Sequence, residues 1–150
     1  MIIKKMMLLD DEYFMRIALN EAKKALDMNE IPIGAVVVAN GQLLAKAHNM
    51  TELLGDVTAH AEMQAITSAA HAIGGKYLKN CTMYITVEPC QMCAGALYWS
   101  QISKVVFGAG DNKRGFSSMG AKLHPKTKVI HGVLESECSE LMQQFFAQKR

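Results

Sequence analysis

Prolines, tryptophan and cysteines are scarce: the 150 residues hold three, one and four of them. Four cysteines are too few for the disulfide-dense frame on which small secreted scaffolds depend, and a chain of this length can bury a continuous core without one. Proline-rich, glycine-rich and repeated tracts are absent, which excludes a linker, a low-complexity segment or a solenoid. No apolar run reaches the roughly 18 residues that would mark a membrane-crossing helix. The opening "MIIKKMMLLD" carries two lysines and only a short, interrupted apolar run, unlike an export signal, so an unexported, cytoplasmic start is expected. A single domain over residues 1–150 and no membrane partner follow as expectations.

What is present is an ordinary globular balance, with half of the residues hydrophobic and a fifth charged. The net charge is only +2, but it is unevenly placed. Between Lys113 and Lys128 stand five basic residues, Lys113, Arg114, Lys122, Lys126 and Lys128, and no acidic one. Such a segment is either a local site for a polyanion or a solvated loop whose lysines keep the protein soluble. Charge alone leaves both readings open.

Periodicity orders the rest. Apolar residues three and four apart from Asp11 to Met28 predict a first helix, capped by Asp10 or Asp11. "IPIGAVVVANGQLLAKAHN" reads as a β-hairpin turning at Asn40-Gly41. After a polar loop at residues 50–57, "TAHAEMQAITSAAHA" predicts a second helix with Thr58 as N-cap and Gly74-Gly75 as its end. "CTMYITVEP" is a buried strand stopped by Pro89, and a third helix starts at Cys90. "KVVFGA" and "VIHGV" are further strands, and "ESECSELMQQFFAQK" is a last helix with Cys138, Leu141, Met142, Phe145 and Phe146 on its apolar side. Strands alternating with helices in the second half predict a three-layer α/β fold, helices covering both faces of a mixed sheet.

The chemistry lies in two short stretches. Cys90 and Cys93, with two residues between them at a helix start, can turn both sulfurs to one metal ion, where exposed N–H groups favour the thiolate. His60 supplies a third ligand, giving a Cys₂His set that leaves one zinc position open; a fourth ligand from Cys81, Cys138 or His48 would instead close a structural site. A redox role for the cysteine pair would leave His60 and Glu62 without a task. Zinc in an open site lowers the pKa of a bound water toward neutrality, and a non-ligating carboxylate, Glu62, is suited to move the proton. One difficulty stands: residues two apart on a regular helix point about 200° away from each other. His60 and Glu62 share a pocket only where the backbone is less regular, at the helix start.

"TAHAE" together with "EPCQMCAGA" resembles the cytidine deaminase-like zinc deaminases, with their H-x-E and P-C-x-x-C signature. "DEYFMRIALNEAKKA", "IPIGAVVV", Asn49, "VVFGAGDNKRG" and "ECSELMQQFFAQKR" are similar, in the same order, to the TadA-type tRNA adenosine deaminases. The resemblance implies the cytidine deaminase-like α/β/α fold with a five-stranded sheet, and one zinc ion per subunit on His60, Cys90 and Cys93. It implies hydrolytic deamination of adenosine to inosine at the wobble position of tRNA, with Glu62 shuttling the proton. Asn49 is implied as a base contact, with backbone around Ala61 and Glu88 lining the pocket. Asp111 and Lys113 correspond to the loop holding the flipped nucleotide and its neighbours. Phe145 and Phe146 correspond to an aromatic pair near the RNA, with core packing as the alternative. The tRNA anticodon loop and a second copy of the chain, docked through "CAGALYWS", are the implied partners. Two other functions stay in view: a free-base or nucleoside deaminase acting on guanine, cytosine or cytidine, and an RNA-binding module whose metal is structural.

Overall fold

A computed structural model describes residues 9–149; the expected start at residues 1–8 lies outside it. Helix α1 spans Asp11–Asp27 and is capped by Asp10, whose carboxylate accepts the Tyr13 N–H at 2.9 Å. Strands β1 (Gly34–Ala39) and β2 (Gln42–His48) form the expected hairpin. Asn40 and Gly41 both take positive φ, 52° and 74°, as a two-residue type I′ turn requires.

The loop expected at residues 50–57 contains a short helix, α2 (Thr51–Leu54), which the sequence pattern missed. Helix α3 spans Ala61–Ile73 and ends on Gly74 in the left-handed region. Its N-cap is His60, not the expected Thr58. Thr58 spends both its backbone N–H and its hydroxyl on Asp56 Oδ1, at 2.8 and 2.7 Å, so its own oxygen turns back into the preceding turn. Strand β3 (Cys81–Val87), helix α4 (Gln91–Ser100), strands β4 (Lys104–Ala109) and β5 (Lys128–His131) and helix α5 (Glu135–Gln148) complete the order.

The five strands lie in the order β2-β1-β3-β4-β5. β1 is antiparallel to both β2 and β3, while β3-β4 and β4-β5 are parallel. Side chains alternate across the sheet and fill two separate cores. Ala35, Val37, Met83, Ile85, Val105 and Phe107 pack against Ala61, Ala65 and Ala69 of α3 and Leu97 of α4. Val36, Val38, Tyr84 and Val106 pack on the other side against Phe14, Met15, Ala18, Leu19 and Ala22 of α1 and Cys138 and Leu141 of α5. At Gly34 a side chain would collide with the backbone of Ala18 and Ala22, so this glycine lets α1 lie directly on the sheet.

This is the expected three-layer arrangement. The parallel pair β3-β4 matters most for function. It places the carboxyl end of β3, where α4 begins, beside the start of the loop that follows β4.

Candidate metal centre and active site

Two helix starts meet at the carboxyl end of β3. His60 caps α3 and Cys90 caps α4, each with an extended backbone. Cys93 lies in the first turn of α4 and is buried. His60 Nδ1 stands 3.6 Å from Cys90 Sγ and 3.4 Å from Cys93 Sγ. The ligand atoms of these three residues all lie within 4.8 Å of one another, and Cys81, Cys138 and His48 do not join the group.

The donor set fits zinc. Tetrahedral zinc at about 2.3 Å from sulfur and about 2.0 Å from nitrogen separates its N and S ligands by about 3.5 Å, and the two N···S distances straddle that value. Two thiolates and an imidazole suit zinc, and three protein ligands leave a position open. Cys81 and Cys138 are buried among apolar neighbours instead, as small hydrophobic side chains.

The electrostatics prepare the ligands unequally. The hydrogen bond from Cys93 holds the Cys90 thiol down at about 4, with the His60 ring adding to the effect. The same hydrogen bond to Cys90, together with burial, raises Cys93. The Cys90 sulfur in turn raises His60.

Glu62 is buried, and it is not a member of the ligand group. Burial raises its carboxyl to about 7, against the opposing pull of its own backbone N–H, the His60 ring and the Cys93 thiol. The spacing difficulty is resolved by the cap. Because His60 has φ −71° and ψ 153°, it precedes the helix and does not obey the 100° step per residue that would set it opposite Glu62. Ala61, fully buried between them, is the first residue of α3.

The other expected residues divide into three places. Asn49 follows β2, buried, with its backbone N–H on Ile33 O at 3.1 Å and its side-chain amide 3.5 Å from Glu30 Oε1. Glu88, Asp111 and Lys113 come together at the parallel strand ends, where Glu88 Oε1 accepts the Asp111 N–H at 3.0 Å. Asp111 Oδ1 accepts the N–H groups of Lys113 and Arg114, both at 3.0 Å, which leaves two cations exposed on one turn. Phe145 and Phe146 lie on α5, across the sheet from α3 and α4, and their fates differ. Phe145 is buried, whereas Phe146 is 42% exposed, so the expectation that both lie on the apolar side of α5 holds for Phe145 alone.

Sequence reasoning missed Glu30, which is 1% exposed. Its carboxylate accepts the backbone N–H groups of Glu52 at 3.0 Å and Leu53 at 2.7 Å, and so caps α2. A glutamate directly ahead of the hairpin was its only signal in the sequence. Gln64 was missed as well; its amide donates to His48 O at 2.8 Å and Ala59 O at 3.1 Å, tying β2 to the entry of α3.

Residues 9–109 match the model of the cytidine and deoxycytidylate deaminase zinc-binding region, a span that includes the whole metal group. A tRNA-specific adenosine deaminase of Bacillus subtilis is 44% identical over 93% of this chain and 91% of its own. One of Aquifex aeolicus is 45% identical over 93% of this chain and 95% of its own.

The chain belongs to the tRNA-specific adenosine deaminase family.

A family structure from work on A-to-I editing by tRNA:A34 deaminases at the wobble position of transfer RNA superposes with a TM-score of 0.78. It is 40% identical and covers 86% of this chain and 98% of that one. The matched zinc-binding region ends with β4.

Proposed function

We propose that this protein is a zinc-dependent hydrolase that converts adenosine to inosine at the wobble position of a tRNA, releasing ammonia. The observation that carries the chemistry is a buried carboxyl, Glu62, beside a three-ligand group that it does not join. His60, Cys90 and Cys93 hold the ion. Bound there, zinc supplies the Lewis acidity that brings a water toward ionisation near neutral pH.

The rest is done by the chain. Glu62 takes a proton from the water that attacks C6 of the adenine ring, and gives it up again as the C6–N bond breaks and the amine leaves. A carboxyl that burial raises above the usual carboxylate range is suited to both taking up and giving back a proton. Atoms balance: one water enters, the amine departs as ammonia, and the C6 oxygen remains as the carbonyl of inosine.

An adenine inside a stacked helix cannot reach a buried carboxyl, so the target base is unstacked from an anticodon loop and turned in. Asn49 and the backbone at Ala61 and Glu88 line its pocket. The exposed Lys113 and Arg114, with Lys122, Lys126 and Lys128, carry phosphate contacts. Phe146 offers an exposed ring to the RNA, while Phe145 supports it at 5.2 Å between ring centres, edge to face.

Residues 1–150 form one deaminase domain, working in the cytoplasm where tRNA is processed. Among the described residues no helix is long and apolar enough to cross a membrane. Two copies pair through α4, whose Trp99 is 75% exposed, an unusual position for the chain's one tryptophan.

The test is nucleoside analysis of a tRNA bearing adenosine at the wobble position after incubation with zinc-loaded protein. Inosine at that position is expected. Its absence, with turnover of guanine, cytosine or cytidine that is indifferent to salt, would replace this reading with a small-substrate deaminase; the family relatives favour the tRNA.

A further inference from the structure

The resemblance gave Glu88 only a backbone role, yet its side chain is the most heavily engaged group at the strand ends. Glu88 is 8% exposed. One carboxylate oxygen accepts the Asp111 N–H at 3.0 Å; the other accepts the Ser117 N–H at 3.1 Å and the Ser117 hydroxyl at 2.5 Å. The chain from Asp111 to Ser117 is thus pinned at both ends by a single carboxylate. Between the pins stand Lys113 and Arg114, exposed, and Gly115, buried.

Gly115 shows how tight the clasp is. A side chain there would collide with Glu88 Cδ and with Asp111 O, so only glycine lets the loop close on the carboxylate. The same segment is laced to the metal-bearing turn. Phe116 N–H donates to Pro89 O at 2.8 Å, and Gly115 forms a β-bridge with Cys90.

We propose that Glu88 is a positioning residue: its carboxylate sets the conformation of Asp111–Ser117 and fixes this cationic loop to the turn that carries Cys90. On the tRNA reading, on which the functional half of this inference rests, the nucleotides flanking the target are then held at a set distance from the metal. Binding of the anticodon loop and registration of its target base become one event. A loop held only by its own backbone could bind phosphate without presenting a base.

The test joins kinetics with hydrogen exchange on the zinc-loaded protein. Glu88→Gln replaces one acceptor oxygen by an amide that donates toward an N–H. A lost bond to a charged group in a buried place corresponds to a factor of about ten or more, so KM for the tRNA should rise about tenfold, with kcat changed less than about threefold and one zinc per chain retained. Gly115→Ala keeps the carboxylate but evicts it, and should give the same rise. Because both changes undo the same clasp, the double variant should be no worse than either single one. Amide exchange at Asp111 and Ser117 should speed up about tenfold in each.

The exchange readout needs no substrate, so it separates the clasp from the proposed reaction. Exchange unchanged in Glu88→Gln overturns the proposal even if the wild type edits tRNA. Faster exchange without any inosine from the wild type keeps the clasp and sinks the tRNA reading. Multiplying effects in the double variant, or loss of zinc from Glu88→Gln, would also overturn it, the latter by making Glu88 a prop of the metal centre. Should Glu88→Gln fail to fold, Ser117→Ala removes one of the three bonds at an exposed residue and should raise KM about threefold; no rise there overturns the proposal.

Discussion

The metal group and the basic loop sit side by side, but they are held by different means. His60, Glu62, Cys90 and Cys93 occupy the first turns of two helices whose inner faces are packed on the sheet through Ala61, Ala65, Ala69 and Leu97, each with no measurable exposure. The loop from Gly110 to Thr127 has little apolar anchorage apart from Phe116 and Leu123 and is fastened near its start by one carboxylate. Packing fixes the first region through many weak contacts, so no single hydrogen bond decides its shape. The second depends on a few polar contacts, each of which counts. On the proposed function, chemistry falls on the densely packed part and substrate recognition on the part held mainly by a few hydrogen bonds.

Changes at the metal group should have the largest effects. Cys90→Ser or Cys93→Ser should reduce bound zinc from one per chain to almost none and abolish inosine formation, as read by metal analysis and nucleoside analysis together. Retained zinc in either variant would mean that the ligand set is wrong.

Glu62→Gln is next. The amide fills the same space but cannot carry the proton, and loss of a general acid-base group costs about 10²- to 10⁴-fold in kcat. Zinc content and melting temperature should stay close to wild type, which separates this residue from the ligands; a variant with near-normal kcat would remove Glu62 from the mechanism.

The aromatic pair on α5 divides the molecule in another way. Truncation of buried Phe145 to Ala should lower stability by about 3 kcal/mol, measured by denaturant unfolding. The same change at Phe146 should cost less than about 0.5 kcal/mol and weaken tRNA binding instead. Equal losses of stability would assign both rings to the core.

The smallest effect is expected from the loop cations taken singly. Lys113→Ala or Arg114→Ala should leave the melting temperature unchanged and flatten the slope of log affinity against log salt by about one. An unchanged slope for both would make these side chains a solvated surface.

Much of this was readable in the chain. Near-continuous apolar runs marked β1 and β3, because a strand buried on both faces needs apolar side chains at almost every position. The zinc ligands were readable because the motif is local: two residues between cysteines, and a histidine at a helix start. The missed features share a cause. Glu30 caps a helix 21 residues further on, Glu88 clasps a loop 23 to 29 residues away, and neither spacing has a period. Thr58 as a cap failed because α3 begins only at Ala61, and the Thr58 hydroxyl lies in the preceding turn on Asp56.

By itself the sequence determined the kinds of element and the donor set for the metal, since those follow from composition and short-range spacing. The tertiary structure decided that His60 is a cap with an extended backbone, outside the helical repeat that would have set it opposite Glu62. It also decided which phenylalanine is buried and which carboxylates are fasteners. Burial and long-range hydrogen bonds depend on which segments the sheet brings together, and that register is set only when the parallel strands pair.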